Sequence, residues 1–364
     1  MSLTEDENAS NWDFPKPAAA GNPLSDISTF RSAIVEWFEA TGEDYPWRRT
    51  EDPYAILVSE LMLQQTQIAT VLSRGYFENW LTKFPNVETL TAAREDEILK
   101  AWEGLGYYRR ARNLQRAAAA VVEEFGGEFP KTYEEIRSLP GVGDYTAGAV
   151  VSFAYDQPAS MVDANVARVL ARLFDFGELI DATAGRKQLA EWSGQLVDPI
   201  NARSFNSGLM ELGQRYCTPR KPDCKPCPVA EFCVCQDPRQ LPNKKAGAKI
   251  EAIEEHALFI RDGAKIWLSQ AAKGGRREGL WKLPEIERKQ IKKRTQLFKT
   301  KYSITKYRVT LNVFAGTPKE ASGSKSFDVE ELADIAMASP YRKAVEKLLA
   351  LEAEGDLQFN HAQQ

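Results

Sequence analysis

The chain has 364 residues, 43% hydrophobic and 27% charged, with a formal net charge of −4. That composition excludes a wholly disordered chain and a fibrous repeat, and the length suits about two domains. Five cysteines, all between Cys217 and Cys235, exclude a disulfide-stapled secreted scaffold.

The start of the chain, residues 1–27, is polar and acidic and reads as a loosely ordered extension without the basic start and apolar run of a signal peptide. From 29 to 238 the pattern is helical. Phe30, Ile34, Trp37 and Phe38 recur at helical spacing, and the run 53–80 continues it over several turns. Its apolar part, 53–73, is interrupted by Glu60, Gln64, Gln65 and Gln67, so it does not read as a membrane span. Further helices are predicted over 95–102, 109–125, 132–137, 145–154, 165–174, 187–196 and 202–216, separated by Gly and Pro clusters.

Residues 236–250 carry two prolines and little to bury, and read as a linker. Beyond it, 256–261 and 264–269 are predicted strands joined at Asp262-Gly263, and 307–314 alternates as a third strand. Helix is expected again over 330–338 and 342–349, giving an α+β domain over 251–352 and a tail over 353–364. Between 288 and 308 there are nine basic residues and no acidic one. A solvated loop is the plain reading, but on an acidic protein so dense a patch suits a nucleic-acid backbone.

Four segments carry chemistry. Cys217, Cys224, Cys227 and Cys233 are spaced C-x6-C-x2-C-x5-C, which suits a four-thiolate cage for zinc or an iron–sulfur cluster; spacing does not choose between them. Cys235 is one too many and reads as a bystander. Leu139-Pro-Gly-Val-Gly143 precedes a short apolar helix. Gly141 and Gly143 permit a tight turn whose amides suit a DNA phosphate, although an ordinary helical corner would look the same. Asp163 stands before an apolar-periodic run, where it reads as a helix cap that can also face a cleft, with Asn165 able to share the task. Glu60 is the one charged residue within 53–73. Apolar surroundings favour its protonated form, which general-acid chemistry needs; a buried ion-pair partner is the alternative. The amides of Gln64, Gln65 and Gln67 follow it and suit base edges.

WRRTEDPYAILVSELMLQQTQ (47–67), GLGYYRRARN (104–113), LPGVGDYTAGAV (139–150) and CTPRKPDCKPCPVAEFC (217–233) together resemble the MutY-type adenine DNA glycosylases of the helix-hairpin-helix superfamily. The likeness is close over 28–233 and looser beyond. It implies a multidomain fold: an all-α helix-hairpin-helix glycosylase domain over 28–235, its loop holding a [4Fe–4S] cluster on the four cysteines, then an α+β Nudix-like lesion-recognition domain. It implies base excision repair on duplex DNA, with adenine opposite 8-oxoguanine or guanine removed after it is flipped out of the stack; with no targeting segment read at the start, a cytoplasmic, nucleoid-associated protein is expected, and a monomer is the default. Glu60 would protonate the base and then activate water, Asp163 would stabilise the cationic or covalent sugar, and Tyr145 and Asn165 would orient them. Gln65 and Tyr107 would wedge into the stack beside Gln64, and Arg109, Arg110, Arg112 and Arg116 would reach phosphates along with the Gly141 and Gly143 hairpin. Tyr145 stands where strand-cleaving relatives carry a Schiff-base lysine, so hydrolysis without lyase activity is expected.

Two departures from the family pattern stand out. Ala164 follows Asp163 where the family usually has Gly. In the second domain the lesion-recognition run of aromatic, Ser and His is matched by Tyr302, Ser303 and Ile304; Ile304 cannot donate a hydrogen bond, and Thr305 or Lys306 would have to supply one. An adenine glycosylase with relaxed or altered opposite-base choice is therefore the second expectation.

Overall fold

The computed structural model describes residues 26–247, 249–292 and 294–356. The expected extension over 1–25, Lys293 of the basic run and the tail beyond 356 lie outside the described residues. The helices are α1 (Ile27–Thr41), α2 (Pro53–Leu63), α3 (Ile68–Ser73), α4 (Tyr76–Lys83), α5 (Val87–Ala92), α6 (Glu95–Ala101), α7 (Arg109–Phe125), α8 (Tyr133–Ser138), α9 (Asp144–Tyr155), α10 (Ala164–Leu173), α11 (Thr183–Leu196), α12 (Ala202–Arg215) and, near the end, α13 (Ser339–Ala353). The strands are β1 (Glu251–Asp262), β2 (Lys265–Gln270), β3 (Trp281–Lys282), β4 (Gln296–Ile304), β5 (Tyr307–Gly316) and β6 (Lys325–Asp328). The N-terminal part is thus all-α and the C-terminal part mixed α+β. Among the described residues no helix is long and apolar enough to cross a membrane.

By their contacts the residues form two units, one up to Gln64 and over Arg116–Ala246, the other over Gln65–Gln115 and from Gly247 onward. In the first unit, α2 starts on Pro53 with Asp52 as its cap, and every residue from Tyr54 to Met62 is buried. A helix apolar all round has to lie inside its domain, and α2 packs against α9, itself buried from Thr146 to Ser152. A separate apolar cluster joins Phe30 and Ile34 of α1, Val166 and Leu170 of α10 and Phe205 and Leu209 of α12. Gly148 lets α9 approach the 160 segment: a Cβ there would lie 2.2 Å from the Ser160 carbonyl oxygen.

In the second unit the sheet is open, in the order β3-β2-β1-β5-β4 with β6 also paired to β2. β1 and β5 run parallel, while β1–β2, β2–β3, β2–β6 and β4–β5 are antiparallel. Ala257 to Ile260 of β1 are all buried, as expected for a strand covered on both faces. Helices α3–α6 belong to the same unit. Trp80 and Trp102 meet edge to face at 5.2 Å, Arg342 of α13 donates to Glu103 at 3.1 Å, and Arg112 donates to the Glu278 carbonyl at 2.5 Å.

Three differences from the sequence expectations have local causes. The expected continuous run over 53–80 is broken twice, by Gln65 at φ 59° and by Gly75 at φ 57°, both incompatible with helix. The stretch 288–308, noted for its dense basic charge, contains strand β4, in which exposed Lys299, Lys301 and Ser303 alternate with half-buried Phe298, Thr300, Tyr302 and Ile304. Helix α5, capped by Asn86, was too short to show a period.

Gly148→Ala should destabilise the protein by about 2 kcal/mol, since its methyl would collide with backbone. Chemical denaturation measures this; an unchanged midpoint would mean that the 160 segment yields freely.

Candidate active site and nucleic-acid contacts

Three groups from different elements of the first unit converge. Glu60 lies on α2 with 4% exposure. Burial pushes its carboxyl up to about 7; the Tyr145 hydroxyl bonded to it opposes the rise, Asp163 adds to it and the Arg48 charge opposes it. Tyr145, on the first turn of α9, also has its hydroxyl 3.8 Å from the Met210 sulfur. Burial and the two carboxylates hold its phenol well above the ordinary tyrosine range.

Asp163 caps α10. One oxygen accepts from the backbone N–H of Asn165 at 2.9 Å and of Val166 at 2.7 Å, and the other from the Asn165 amide at 2.8 Å. Burial raises its pKa, while these donors and the Arg168 charge work against the rise. The sequence-derived cap and the carboxylate facing Glu60 are thus one residue. Ala164 opens α10 and is absent from the positive-φ residues, so a methyl is tolerated there.

Several positioning side chains were not singled out from sequence. Arg168 donates to the Asn165 amide oxygen at 2.9 Å, the Gly213 carbonyl at 2.8 Å and the Cys217 carbonyl at 2.7 Å. Gly213 allows this approach, since a Cβ would meet the Asn165 Cβ at 2.7 Å. Arg48 pairs with the buried Glu211 at 2.5 Å. Asn206 holds the Ala159 carbonyl at 3.1 Å and the Ser152 hydroxyl at 2.7 Å, fixing the segment that leads to Asp163. A signal existed for Arg168, which falls on one face of α10 with Asn165 and Arg172 at spacings of three and four; for Glu211 and Asn206 there was none.

In the hairpin, Val142 N–H returns to the Leu139 carbonyl at 3.1 Å and Gly141 has φ 81°. Leu139 and Val142 are buried, and Arg137 ties Asp144 at 2.5 Å. Gly143 caps α9 with no side chain, leaving the first amides of that helix without intrahelical partners. Gln64 ends α2 and donates to Thr146 at 3.3 Å.

In the second unit, Gln65 and Tyr107 are both exposed and both left-handed, at φ 59° and 46°. Arg109 is exposed, but Arg110 is buried and Arg112 is bonded to Glu95, so the four arginines do not act alike. Tyr302, expected in a recognition loop, lies in β4. Its hydroxyl donates to Glu255 at 2.6 Å, and Arg277 clamps the same carboxylate at 3.0 and 3.1 Å. Ser303 is exposed and opposite Arg308; Lys299 and Lys301 share its face. Lys306 pairs with Glu251 at 2.6 Å, and Thr305 turns the hairpin at φ 51°.

The expected [4Fe–4S] site on Cys217, Cys224, Cys227 and Cys233, and its zinc alternative, do not fit the structure. Among the described residues no group of three or more His, Cys, Asp or Glu side chains could hold a metal ion. All five cysteines are free. Closeness in sequence has not become convergence of sulfurs. The Cys217 sulfur accepts from Arg172 at 3.3 Å, the Cys233 thiol points to the Arg172 carbonyl at 3.5 Å, and Cys217, Cys227 and Cys233 pack on the cluster around Phe30. Burial pushes Cys227 up to about 12 and Cys233 to about 11, and the neighbouring cysteine sulfurs add to the rise. Cys235 is pushed to about 12 in the same way.

A family model for HhH-GPD superfamily base excision DNA repair proteins matches residues 58–195. The chain is 44% identical over 219 residues to the human adenine DNA glycosylase, covering 58% of this chain and 40% of that protein. It is 29% identical over 347 residues to the adenine DNA glycosylase of Buchnera aphidicola subsp. Schizaphis graminum, covering 88% of this chain and 99% of that one. Among solved structures, a thermostable thymine-DNA glycosylase is similar with TM-score 0.53 and 34% identity over 57% of this chain and 95% of that chain. The chain spans less than half the length of the human, mouse and rat relatives it matches. Helix-hairpin-helix geometry and these matches define the class, the helix-hairpin-helix superfamily of base excision DNA repair proteins. Within that superfamily, the relatives it is similar to in sequence are adenine DNA glycosylases.

The Glu60 carboxyl carries a stability signature. Unfolded, it ionises near the ordinary 4.5; folded, it holds its proton to about 7. Stability therefore falls as pH rises between these values, where the folded state binds more protons. Glu60→Gln should match the parent near pH 4 and exceed it above pH 7 by up to about 3 kcal/mol. Chemical denaturation at both pH values measures this; an equal difference at both would mean that Glu60 is ionised when folded.

Proposed function

We propose that this chain is a monofunctional DNA N-glycosylase that hydrolyses the glycosidic bond of adenine mispaired with 8-oxoguanine or guanine in duplex DNA. The observation that carries the reading is the pair of carboxyls with divergent surroundings. Glu60 is desolvated and raised to about 7; burial also raises Asp163, but three hydrogen bonds that favour its charge work against that rise. Such a pair separates an acid from an anion.

Glu60 gives its proton to N7 of the flipped adenine. The C1′–N9 bond then breaks, its electrons leave with the base, and positive charge develops on the sugar. The Asp163 carboxylate stabilises that charge, directly or as a transient covalent adduct. Water attacks C1′ and returns a proton to the Glu60 carboxylate, which restores the acid. Tyr145 and Asn165 orient the two carboxyls. Tyr145 has no amine, so no Schiff base forms with the sugar.

The hairpin at Gly141 and Gly143 and the exposed Arg109 hold phosphates, and Gln64, Gln65 and Tyr107 engage the base stack. Likeness to the adenine DNA glycosylases supports adenine as the leaving base. The α+β part acts as a Nudix-like recognition domain whose face of Lys299, Lys301, Ser303 and Arg308 meets DNA. The protein works as a monomer.

One observation favours a second reading, weakened choice of the opposite base. The Tyr302 hydroxyl is engaged with Glu255, Lys306 is paired with Glu251, the exposed Thr305 hydroxyl donates to the Ile304 carbonyl and Ile304 offers no donor, so Ser303 is the exposed hydroxyl best placed at the end of β4.

Single-turnover adenine release from duplexes with 8-oxoguanine, guanine or thymine opposite tests both readings. Release opposite 8-oxoguanine and guanine supports the first; equal rates opposite these two favour the second; no release from any duplex overturns the substrate. Glu60→Gln should lower the rate about 10³-fold, and the parent rate should fall tenfold per pH unit above about 7 as Glu60 loses its proton. A flat profile between pH 7 and 9 would remove Glu60 as the acid. Ser303→Ala should slow the 8-oxoguanine duplex more than the guanine duplex, and borohydride should trap no covalent complex.

A further inference from the structure

Two short turns of the second unit carry the exposed left-handed residues Gln65 and Tyr107. L-residues other than Asn, Asp and Gly seldom hold this conformation, and it persists only where surrounding contacts overdetermine it. Both turns converge on one buried side chain, Arg110, in the first turn of α7 with 7% exposure. Its Nη2 donates to the Thr66 hydroxyl at 3.1 Å, the Leu105 carbonyl at 2.9 Å and the Gly106 carbonyl at 3.1 Å. Its guanidinium lies over the rings of Trp102 at 5.3 Å and Tyr107 at 5.7 Å. Its own N–H bonds the Tyr107 carbonyl at 2.8 Å, and the Trp102 indole donates to the same Gly106 carbonyl at 3.1 Å. Among its acceptors, Thr66 follows Gln65 and Gly106 precedes Tyr107.

Resting on the reading above in which Gln65 and Tyr107 enter the base stack, we propose that Arg110 is a positioning residue for base extrusion, a planar fork that locks both turns so that the two side chains form a wedge before DNA arrives. Arginine suits this place because its delocalised, weakly hydrated guanidinium reaches two aromatic rings while one of its nitrogens meets three acceptors, whereas a lysine ammonium is a compact, strongly hydrated charge on a shorter reach. A wedge that is built beforehand does not have to be ordered while the duplex is being opened.

The test uses the full chain and a duplex with 2-aminopurine beside the target adenine, whose emission rises on unstacking. Stopped-flow emission gives the extrusion rate, and anisotropy gives the DNA affinity. Arg110→Lys should slow extrusion about tenfold while affinity stays within about twofold. Thr66→Val, which removes one acceptor at similar volume, should slow extrusion about threefold and covers the case in which Arg110→Lys fails to fold. A merely structural Arg110 would weaken affinity and extrusion together, which overturns the proposal. Gln65→Ala and Tyr107→Ala separate the two levels. If both extrude at the parent rate, the wedge reading fails and this inference with it. If they are slow while Arg110→Lys and Thr66→Val are not, only the role of Arg110 is overturned.

Discussion

The candidate chemistry depends on one cost, a carboxyl kept away from water. Nothing near Glu60 neutralises it fully: the Tyr145 hydroxyl and the more remote Arg48 charge favour ionisation, while burial and the Asp163 charge oppose it. Burial wins, so the group holds a proton near neutral pH. That requires α2 to be apolar on every side and wrapped by the domain, as the burial of Tyr54 to Met62 shows. A more amphipathic α2 would fold as well on the surface, with an ordinary carboxylate in place of a stored proton.

Within each of the two units, loops are fixed by arginines that are buried or nearly so. Arg168 spans Asn165, Gly213 and Cys217; Arg172 reaches the Leu241 and Thr218 carbonyls; Arg110 gathers the Thr66 and Leu105–Gly106 turns; Arg277 clamps Glu255 beneath Tyr302. The planar fork suits this work because it satisfies several loop carbonyls at once, groups that would otherwise be buried without partners. The same device that stabilises a loop thereby sets the direction of the functional side chain next to it.

The cysteine loop shows the limit of spacing as a guide. Four thiols in a short, proline-rich stretch suit a cage on paper, yet among the described residues they form no metal-holding group: they act on one another only electrostatically, and contacts with Arg172 and an apolar cluster hold them. Arg172 holds the loop through carbonyls and one sulfur.

The sequence by itself determined the helical character from α1 to α12, the start of the α+β part, the hairpin, the Asp163 cap and the isolation of Glu60, because each is written in a local period or in one residue type at a boundary. It did not single out strand β4, whose alternating lysines stand first as a patch of charge, nor the breaks at Gln65 and Gly75 inside an apolar run. Only the tertiary structure decided that Glu60, Tyr145 and Asp163 meet, that Arg110 points inward while Arg109 does not, that Tyr302 is held by Glu255, and that the cysteines do not converge. These are matters of which side chains lose water together, and contacts between residues far apart in the chain leave no mark on any one stretch of it.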